Sequence, residues 1–375
     1  MDHTNVAIIG CGVIGLAIGA EVSKKRGVVL IERHGRLGTE ISSRNSEIIH
    51  SGIYYNKDSL KARLCLEGNR LLYDICKINS IDHRKIGKLV VATSDTEIGE
   101  LEKLIEKGKN NDVQDLSMLT EVQVRSIEPN IKAVRALLVP SAGVVDVHQL
   151  MNYYEKTIVE NNGVIALNSL VFRIGHDFGK YTIEIKGATR DEFYTLTCNV
   201  LINAAGLGAD KIAEMVGIDV GMAGYKIHYC KGEYFIVNNS NGKVNHLIYP
   251  IPEKKLVGLG IHTSLDLAGG LRLGPNAFYV NDIDYDVDEN HRNEFYEYVR
   301  LYLPWLKKED LQPGFAGIRP KLQGPGEDYR DFVIKHEKDK GFVGLINLIG
   351  IESPGLTCSP AIAKYVGKIV EEILF

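Results

Sequence analysis

A glycine-rich turn near the start of the chain constrains the fold more than any other feature. The apolar run Val6–Ile9 has the character of a buried strand, and the sequence GCGVIG at Gly10–Gly15 follows it directly. A helical pattern of apolar residues then extends to about Lys25, and a second apolar run, Val28–Ile31, ends at Glu32. This order of strand, glycine turn, helix and strand predicts a βαβ unit that binds a dinucleotide.

Each part of the turn has a mechanical reason. Gly10 permits the tight turn, Gly12 lets a pyrophosphate approach the backbone, and Gly15 allows the helix to pack closely on the strand. Glu32, 17 residues beyond Gly15, can accept hydrogen bonds from an adenosine ribose, which disfavours NADP but does not separate FAD from NAD. The alternative is a glycine-rich turn in another α/β fold. The residues expected to contact the dinucleotide are Gly10, Gly12, Val13, Ile14, Gly15, Glu32 and Arg33.

A polar stretch at Glu40–Tyr55 follows this unit. Its hydroxyl and amide groups can satisfy pyrophosphate oxygens or the edge of a flavin ring. Taken by themselves, the same residues fit a capped helix start followed by a strand equally well. The side chains expected to contact a cofactor here are those of Ser42, Ser43, Asn45 and Ser46.

Composition argues against several classes of partner. The formal net charge is −4, and a surface that binds nucleic acid usually carries a basic excess. The six cysteines form no CxxC pair and no Cys/His cluster with zinc-ligand spacing, so we predict reduced thiols and no metal site. No apolar run approaches the roughly 20 residues of a membrane span. The N-terminal residues lead directly into the first strand without room for a signal peptide, so we predict a cytoplasmic protein, with peripheral contact at the inner membrane face left open.

Several stretches resemble a known group of flavoproteins. The GCGVIG turn, followed by SSRNSEIIHSGIYY at Ser42–Tyr55, resembles the D-amino-acid-oxidase-type superfamily of FAD-dependent oxidoreductases. Four further stretches narrow the resemblance to the L-2-hydroxyglutarate dehydrogenase family, namely Ser59–Arg70, Gly87–Ser94, Asn245–Glu253 and Ala316–Gln323. The closing SPGLTCSPAIA at Ser353–Ala363 is shared with glycerol-3-phosphate oxidases as well. The chain departs from the family pattern at Glu47, where members usually carry glycine.

The resemblance implies an α/β fold with two domains. A Rossmann-like FAD-binding domain of the glutathione-reductase type is expected to be interleaved with an α+β substrate domain built on an antiparallel sheet. Proline and glycine are dispersed and form no flexible linker, which agrees with interleaving. The predicted FAD-binding domain comprises residues 1–82, 141–212 and 312–375, and the predicted substrate domain comprises residues 83–140 and 213–311. Apolar patterns in the substrate domain predict a helix over 289–303 and antiparallel strands over 232–237, 247–251 and 256–262.

The last segment of the chain adds to the expected cofactor site. A loop at Gly350–Gly355 precedes an amphipathic helix that Thr357 or Ser359 can cap, with Pro360 suited to its first turn. The N-terminus of this helix can stabilise negative charge on the flavin. The further cofactor contacts that we expect from the resemblance are Val171, Ala205, Gly206, Gly355, Leu356 and Thr357.

The resemblance implies FAD-dependent oxidation of L-2-hydroxyglutarate, a small anionic 2-hydroxy acid, to 2-oxoglutarate. The hydride would pass to flavin N5, and the electrons would pass on to oxygen, a quinone or a protein carrier. His50 is the expected base, since an imidazole titrates near neutral pH, and His262 is its rival. Arg319 is the expected clamp for a substrate carboxylate, through two parallel hydrogen bonds. Further candidates for substrate contacts are Tyr249, Tyr55 and Lys231.

Other functions stay open at this point. A glycerol-3-phosphate oxidase shares the histidine and the SPGL signature, and an amine or amino-acid oxidase of the same superfamily is a more distant alternative. A protein that binds flavin without turnover belongs to a different class. A bound yellow cofactor that no small hydroxy or amino acid can bleach would favour that last class.

Overall fold

The first two strands and the first helix follow one another in the order that the glycine turn predicts. The computed structural model describes residues 2–177, 179–187, 192–251 and 260–375. The strands are β1 (Asp2–Ile9), β2 (Val28–Ile31), β3 (Ile48–Ile49), β4 (His83–Arg84), β5 (Lys88–Ala92), β6 (Ser117–Thr120), β7 (Arg135–Val139), β8 (Gly143–Val145), β9 (Val164–Ala166), β10 (Ser169–Asp177), β11 (Lys180–Gly187), β12 (Phe193–Asn203), β13 (His228–Val237), β14 (Leu247–Pro250), β15 (Thr263–Leu265), β16 (Leu271–Leu273), β17 (Phe278–Val280), β18 (Leu311–Lys321), β19 (Val333–His336) and β20 (Leu345–Ile349). The helices are α1 (Val13–Val22), α2 (Leu60–Ile78), α3 (Ile98–Asn110), α4 (Glu121–Ile127), α5 (Val147–Glu160), α6 (Ala209–Val216), α7 (Arg292–Val299) and α8 (Gly355–Leu374).

The chain divides into two compact units, each built from separate segments. Unit 1 comprises the residues up to Ser43 together with Val147–Tyr229 and Arg319–Phe375, and unit 2 comprises Arg44–Asp146 and Cys230–Ile318. Unit 1 holds a mixed sheet in the order β10-β11-β12-β1-β2-β9, in which β20 pairs with β12 and β19 with β20. The pairs β1–β12, β1–β2, β2–β9 and β12–β20 are all parallel. This parallel centre with an antiparallel hairpin at one edge confirms the predicted α/β class.

Two glycines of the turn hold α1 against the strands of unit 1. Gly10 has a φ of +102°, and a Cβ built on it would lie 2.5 Å from the carbonyl oxygen of Ala204. A Cβ built on Gly15 would lie 2.0 Å from the carbonyl oxygen of Gly10. Neither position accepts a side chain, so the close contact of β1, α1 and the end of β12 explains the spacing of the glycines.

The helices of unit 1 pack around α1. It contacts both α5 and α8, and most of its residues are buried. A Cβ on Gly19 would lie 2.9 Å from a methyl carbon of Leu30 and 3.0 Å from one of Ile158, so glycine permits this close approach as well. In the part of the chain that the structure describes, no helix combines the length and the apolar character needed to cross a membrane.

Unit 2 contains three sheets within its described residues. Their orders are β14-β5-β7-β6, β15-β16-β13-β17 with β18 paired to β13, and β3-β8-β4. Leu89 and Val91 of β5 belong to one hydrophobic cluster, whereas Val90 and Ala92 belong to another. Because side chains alternate along a strand, Lys88 lies on the face of Val90 and Ala92. The basic side chain therefore points into an otherwise apolar core.

Residues 44–82 cluster with unit 2, although the sequence prediction assigned them to the FAD-binding domain. The reason is strand pairing, since β3 and β4 both pair with β8. The predicted substrate segments 83–140 and 213–311 compare with Arg44–Asp146 and Cys230–Ile318 in the structure. Both the prediction and the structure have interleaved segments. The segment bounds differ because pairing with strands distant in sequence determines the unit in which each segment packs.

Two local predictions were wrong. We expected antiparallel pairing at 247–251, but β14 runs parallel to β5, its partner far back along the chain. The helix predicted over 289–303 is shorter, because a 3-10 turn precedes α7 and the helix ends at Val299. The strand predicted over 256–262 falls largely outside the described residues, and its described part, 260–262, precedes β15.

We expect Gly143→Ala to destabilise unit 2. A Cβ at this position would lie 2.3 Å from the hydroxyl oxygen of Tyr73 and 2.4 Å from the carbonyl oxygen of Arg84, so the sheet β3-β8-β4 must shift to admit it. The free energy of unfolding should fall by about 1–3 kcal/mol, the usual cost of overpacking, as measured by urea denaturation. Gly99→Ala is the control, because nothing lies within 4 Å of a Cβ there and alanine favours the helix. Equal stability of the two variants would contradict the tight contact.

Candidate active site

The glycine turn of unit 1 presents a backbone surface without side chains. Helix α1 begins at Val13, with Gly12 as its N-cap residue in an extended conformation. A Cβ on Gly12 would lie 3.1 Å from the Oγ of Ser42, which accepts a hydrogen bond of 2.9 Å from the N–H of Val13. Ile14 and Gly15 complete the first turn of this helix, where the dipole and the N–H groups favour a phosphate.

Glu32 directly follows β2, and the backbone fixes its carboxylate. The N–H of Cys11 donates to Oε2 at 2.8 Å, and the N–H of His34 donates to Oε1 at 2.9 Å. Each carboxylate oxygen keeps capacity for another hydrogen bond, as a pair of ribose hydroxyls requires. The neighbouring Arg33 is ion-paired with Glu40, so its guanidinium already has a carboxylate partner.

Other expected cofactor residues lie in three further parts of unit 1. The hydroxyl of Ser43 donates to the carbonyl of Gly38 at 2.7 Å. Val171 is buried in the hydrophobic cluster beside the sheet. Ala205 and Gly206 form the turn after β12, where Gly206 has a φ of +55°. Together with the glycine turn and Glu32, these features fit the adenosine diphosphate half of FAD.

Helix α8 begins earlier than the capping pattern suggested. Its first residue is Gly355, followed by Leu356, and Pro354 precedes it without a side-chain cap. The prediction that Thr357 or Ser359 caps the helix was wrong, since both are fully buried inside it. The N–H of Gly355 already donates to the carbonyl of Glu352 at 2.6 Å, so the turn is formed before Thr357 is reached. The expected place of Pro360 in the first turn was wrong for the same reason, because that residue lies further along the helix.

In unit 2, the backbone of His50 is held by α2. The side-chain amide of Asn69 donates to the carbonyl of His50 at 2.9 Å and to that of Ser141 at 2.9 Å. The thiol of Cys65 donates to the same His50 carbonyl at 3.6 Å. Helix α2 thus fixes the backbone at His50, directly after the end of β3.

The segment before β3 contains the residue that departs from the family pattern. Glu47 has a φ of +57°, in the left-handed region, and its carboxylate lies 3.5 Å from the guanidinium of Arg272. The Oδ1 of Asn45 accepts the N–H of Glu47 at 2.7 Å. Asn45 and Ser46 belong to unit 2, whereas the other predicted cofactor residues belong to unit 1.

Tyr249 is the centre of a buried polar cluster in unit 2. Its ring stacks on that of His262, with centroids 3.8 Å apart, and lies 6.4 Å from the ring of Tyr54. The Nζ of Lys88 lies 3.8 Å from the ring centroid of Tyr249 and 5.2 Å from that of Tyr54. A ring nitrogen of His262, Nδ1, lies 2.9 Å from the carbonyl of Gly260, which assigns the proton to that nitrogen.

Burial controls the charges of this cluster. It lowers the pKa of His50 well below its ordinary value, and the charges of Lys88 and then His262 lower that pKa further. The imidazole is therefore neutral at neutral pH, although the residue keeps some exposed surface. Burial also lowers the pKa of Lys88 to about 7 and raises the pKa of the Tyr249 phenol well above its ordinary value. It raises the pKa of Tyr54 in the same way, so both phenols stay protonated and can donate.

The remaining substrate candidates lie elsewhere. Arg319 belongs to unit 1, on β18, where it is partly buried. Lys231 is almost fully buried in unit 2, and its Nζ lies 2.6 Å from Asp284 and 3.8 Å from Glu233. The carbonyl of Tyr55 accepts a hydrogen bond from the side chain of Asn111 at 2.9 Å. Of the predicted catalytic residues, unit 2 brings His50, Tyr249 and His262 into one electrostatically coupled group.

Sequence reasoning missed Lys88 as a member of this group. It lies in the Gly87–Ser94 stretch that carries the family resemblance, but the resemblance implies no role for it. The available signal was a lysine at the start of a strand that is otherwise apolar, KLVVA. The sequence does not indicate which face of that strand is buried against Tyr249. That face follows from the pairing of β5 with β14, in which Leu247 lies opposite Lys88.

The chain is similar to known proteins along nearly its whole length. The sequence matches the family described as FAD dependent oxidoreductase, DAO, over residues 5–369. A mitochondrial L-2-hydroxyglutarate dehydrogenase from Arabidopsis thaliana is 37% identical over 98% of this chain and 83% of that protein. A glycerol 3-phosphate dehydrogenase from Caloramator mitchellensis is 33% identical over 98% of this chain and 74% of that protein.

Solved structures give the same result. The dithionite-reduced L-alpha-glycerophosphate oxidase from Mycoplasma pneumoniae, with FAD bound, has a TM-score of 0.87 and 26% identity, covering 99% of this chain and 95% of that chain. The predicted fold class, the FAD cofactor and the resemblance to L-2-hydroxyglutarate dehydrogenases are thereby confirmed. Because the family match extends over nearly the whole sequence, the chain belongs to the DAO family of FAD dependent oxidoreductases.

Proposed function

We propose that this protein is an enzyme that oxidises L-2-hydroxyglutarate to 2-oxoglutarate with FAD as its cofactor. The observation that carries this proposal is the buried cluster of unit 2, in which the neutral imidazole of His50 is coupled to Lys88 and His262. A neutral imidazole can take a hydroxyl proton, and a cation beside phenol donors can bind a carboxylate. The relationship to a plant protein named L-2-hydroxyglutarate dehydrogenase supports this choice of substrate.

Oxidation of a secondary alcohol removes a proton from oxygen and a hydride from carbon. FAD, when bound, supplies the hydride acceptor. His50 takes the hydroxyl proton, and its lowered pKa keeps it in the unprotonated form that this role requires. Asn69, which holds the His50 carbonyl, keeps the backbone of the base in place. The rate should therefore fall with decreasing pH only well below the ordinary titration range of histidine.

Arg319 binds the carboxylate next to the reacting carbon in this proposal. A guanidinium can hold a carboxylate through two parallel hydrogen bonds, which fixes orientation as well as affinity. The partial burial of Arg319 on β18 supports this role, because a partly buried charge is screened less by solvent than an exposed one.

The electron acceptor and the location of the enzyme are further parts of the proposal. Oxygen, a quinone and a protein carrier are the candidate acceptors. A cytoplasmic location stays a prediction, as does peripheral contact with a membrane. All six cysteines are buried and form no disulfide with one another, which supports a reducing compartment.

Oxidation of glycerol 3-phosphate is the second candidate function. The relative from Caloramator mitchellensis and the oxidase from Mycoplasma pneumoniae favour it, because their names refer to glycerol 3-phosphate or L-alpha-glycerophosphate. Both substrates carry a secondary alcohol and an anionic group, so the same base and a similar cation could serve either. A direct comparison of substrates separates the two.

The first test follows flavin absorbance under anaerobic conditions. We expect L-2-hydroxyglutarate to bleach the oxidised flavin, whereas D-2-hydroxyglutarate and glycerol 3-phosphate should not do so at the same concentration. The physical reason is that hydride transfer requires the reacting carbon to be held in one geometry. Bleaching by glycerol 3-phosphate alone would replace the proposed substrate. Absence of bleaching by all three compounds would reject the proposed function.

His50→Asn should lower the rate of flavin reduction by L-2-hydroxyglutarate about 10²- to 10⁴-fold, the usual contribution of a general base. Bound FAD should be retained, because the cofactor residues of unit 1 are unchanged. Rapid-mixing absorbance at several substrate concentrations measures the rate. His3→Asn, at an exposed position on β1, is the matched control and should keep the wild-type rate. A wild-type rate in His50→Asn would remove the base assignment.

Arg319→Ala should mainly weaken substrate binding. Loss of a charge-assisted pair is worth about 1.5–3 kcal/mol, which corresponds to roughly a tenfold to hundredfold increase in KM. Steady-state kinetics with L-2-hydroxyglutarate provides the measurement. Arg300→Ala is the control, because that guanidinium forms an exposed pair with Glu297 on the surface. If KM is the same in Arg319→Ala as in the control, the clamp is elsewhere.

A further inference from the structure

Lys88 is a fully buried lysine whose charge has no counterpart in the described part of unit 2. Its exposed fraction is 0%, and its Nζ has no hydrogen-bond partner among the described residues. Its Nζ lies over the rings of Tyr249 and Tyr54, which offer their faces to the ammonium. A cation held in this way is costly to bury, because ring faces replace only part of its hydration.

The groups around this lysine are also donors without acceptors. The hydroxyls of Tyr54 and Tyr249 are buried and have no hydrogen-bond partner among the described residues. An ammonium carries three N–H donors and no acceptor, and a protonated phenol can donate one hydrogen bond. Buried polar groups in folded proteins are almost always paired. A cluster of unpaired donors around one cation therefore fits an anionic partner with more than one oxygen atom.

Another buried lysine of this unit, Lys231, is already neutralised. Lys231 lies 2.6 Å from Asp284 and 3.8 Å from Glu233, so two carboxylates share its charge. Of Lys88 and Lys231, only Lys88 lacks a carboxylate partner among the described residues. Its place on the Val90 face of β5 puts it in the hydrophobic cluster that contains Tyr249.

We propose that Lys88, assisted by the hydroxyls of Tyr54 and Tyr249, binds the second carboxylate of a dicarboxylate substrate. This assignment rests on the proposed function and adds the residue that distinguishes a dicarboxylate from a monocarboxylate. Lys88 holds the carboxylate at the end of the substrate away from the reacting carbon. The subsite selects substrates because a ligand that lacks the second carboxylate leaves the donors unpaired.

The charge state of Lys88 gives the assignment a second observable. Burial lowers its pKa to about 7, so above pH 7 most of the free enzyme carries a neutral amine at this position. A carboxylate beside it favours the charged form and raises that pKa, so binding must take up a proton between the two pKa values. Affinity for a dicarboxylate should accordingly fall as the pH rises above 7.

The experiment compares the wild-type holoenzyme with Lys88→Met, which keeps an unbranched side chain of similar length without the charge. Flavin reduction is measured with L-2-hydroxyglutarate and with L-2-hydroxyvalerate, which has the same five-carbon chain but no second carboxylate. We expect kcat/KM for the dicarboxylate to fall at least 30-fold in the variant, as when one partner of a buried charged pair is removed. The value for the monocarboxylate should change less than threefold. Lys103→Met, at an exposed ion pair with Glu100 on α3, is the control and should leave both values unchanged.

A binding measurement supports the kinetics without turnover. Glutarate and valerate are titrated at pH 8 in two buffers that differ in ionisation enthalpy, and calorimetry gives the number of protons taken up. Wild-type enzyme should take up more protons with glutarate than with valerate, and Lys88→Met should show no such difference. Equal uptake of protons with both acids by the wild type would overturn the assignment even if the variant fails to fold.

The outcomes separate the two proposals. If the wild type oxidises L-2-hydroxyglutarate but Lys88→Met keeps the same preference for the dicarboxylate, the Lys88 assignment fails alone. If the wild type oxidises glycerol 3-phosphate instead, the proposed function fails, and the dicarboxylate assignment fails with it. A collapse of the preference in a folded, FAD-containing variant supports both.

Discussion

A charge buried away from water must find a partner or be neutralised by gaining or losing a proton, and this constraint organises the polar interior of unit 2. Glu233 is almost fully buried, and it meets the Nδ1 of His291 at 2.5 Å. The Nζ of Lys231 lies 3.8 Å from the same Glu233 carboxylate and 2.6 Å from that of Asp284. Lys88 follows the other course, because burial lowers its pKa to about 7. A lysine paired with carboxylates holds a structural charge, whereas an unpaired one can take up its proton together with an anionic ligand.

The same reasoning explains why a glutamate is tolerated where the resembling family usually carries glycine. The backbone of Glu47 is left-handed, a conformation in which glycine avoids the steric cost that other residues meet. Here the Asn45 side chain accepts the Glu47 N–H, and Arg272 lies 3.5 Å from the carboxylate. These contacts offset part of a cost of about 1–2 kcal/mol for the left-handed backbone. The turn geometry that leads into β3 and His50 is thus compatible with the glutamate.

Local sequence was sufficient for features whose physics is local. The glycine turn, the start of α1 and the position of Glu32 depend on neighbours within a few tens of residues, and the structure has them where the pattern predicts. The family resemblance, and not periodicity, indicates His50 and Tyr249 as candidate site residues. The parallel pairing of β14 with β5 joins segments far apart in the chain, so no local pattern could indicate it. The start of α8 was misjudged because Ser and Thr are compatible with a cap and with a buried helical position alike.

The role of Lys88 depends both on the residue type in the sequence and on the pairing of strands in the fold. Its charge is visible in the sequence, but its burial depends on the register between β5 and β14. Burial of His50 is the largest cause of its lowered pKa, and the charge of Lys88 is the second largest. A carboxylate bound beside a charged Lys88 would offset its positive charge, so the imidazole in the complex would be a stronger proton acceptor than beside a charged but unpaired Lys88. In this arrangement, one lysine both selects the dicarboxylate and links its arrival to the basicity of the residue that takes its proton.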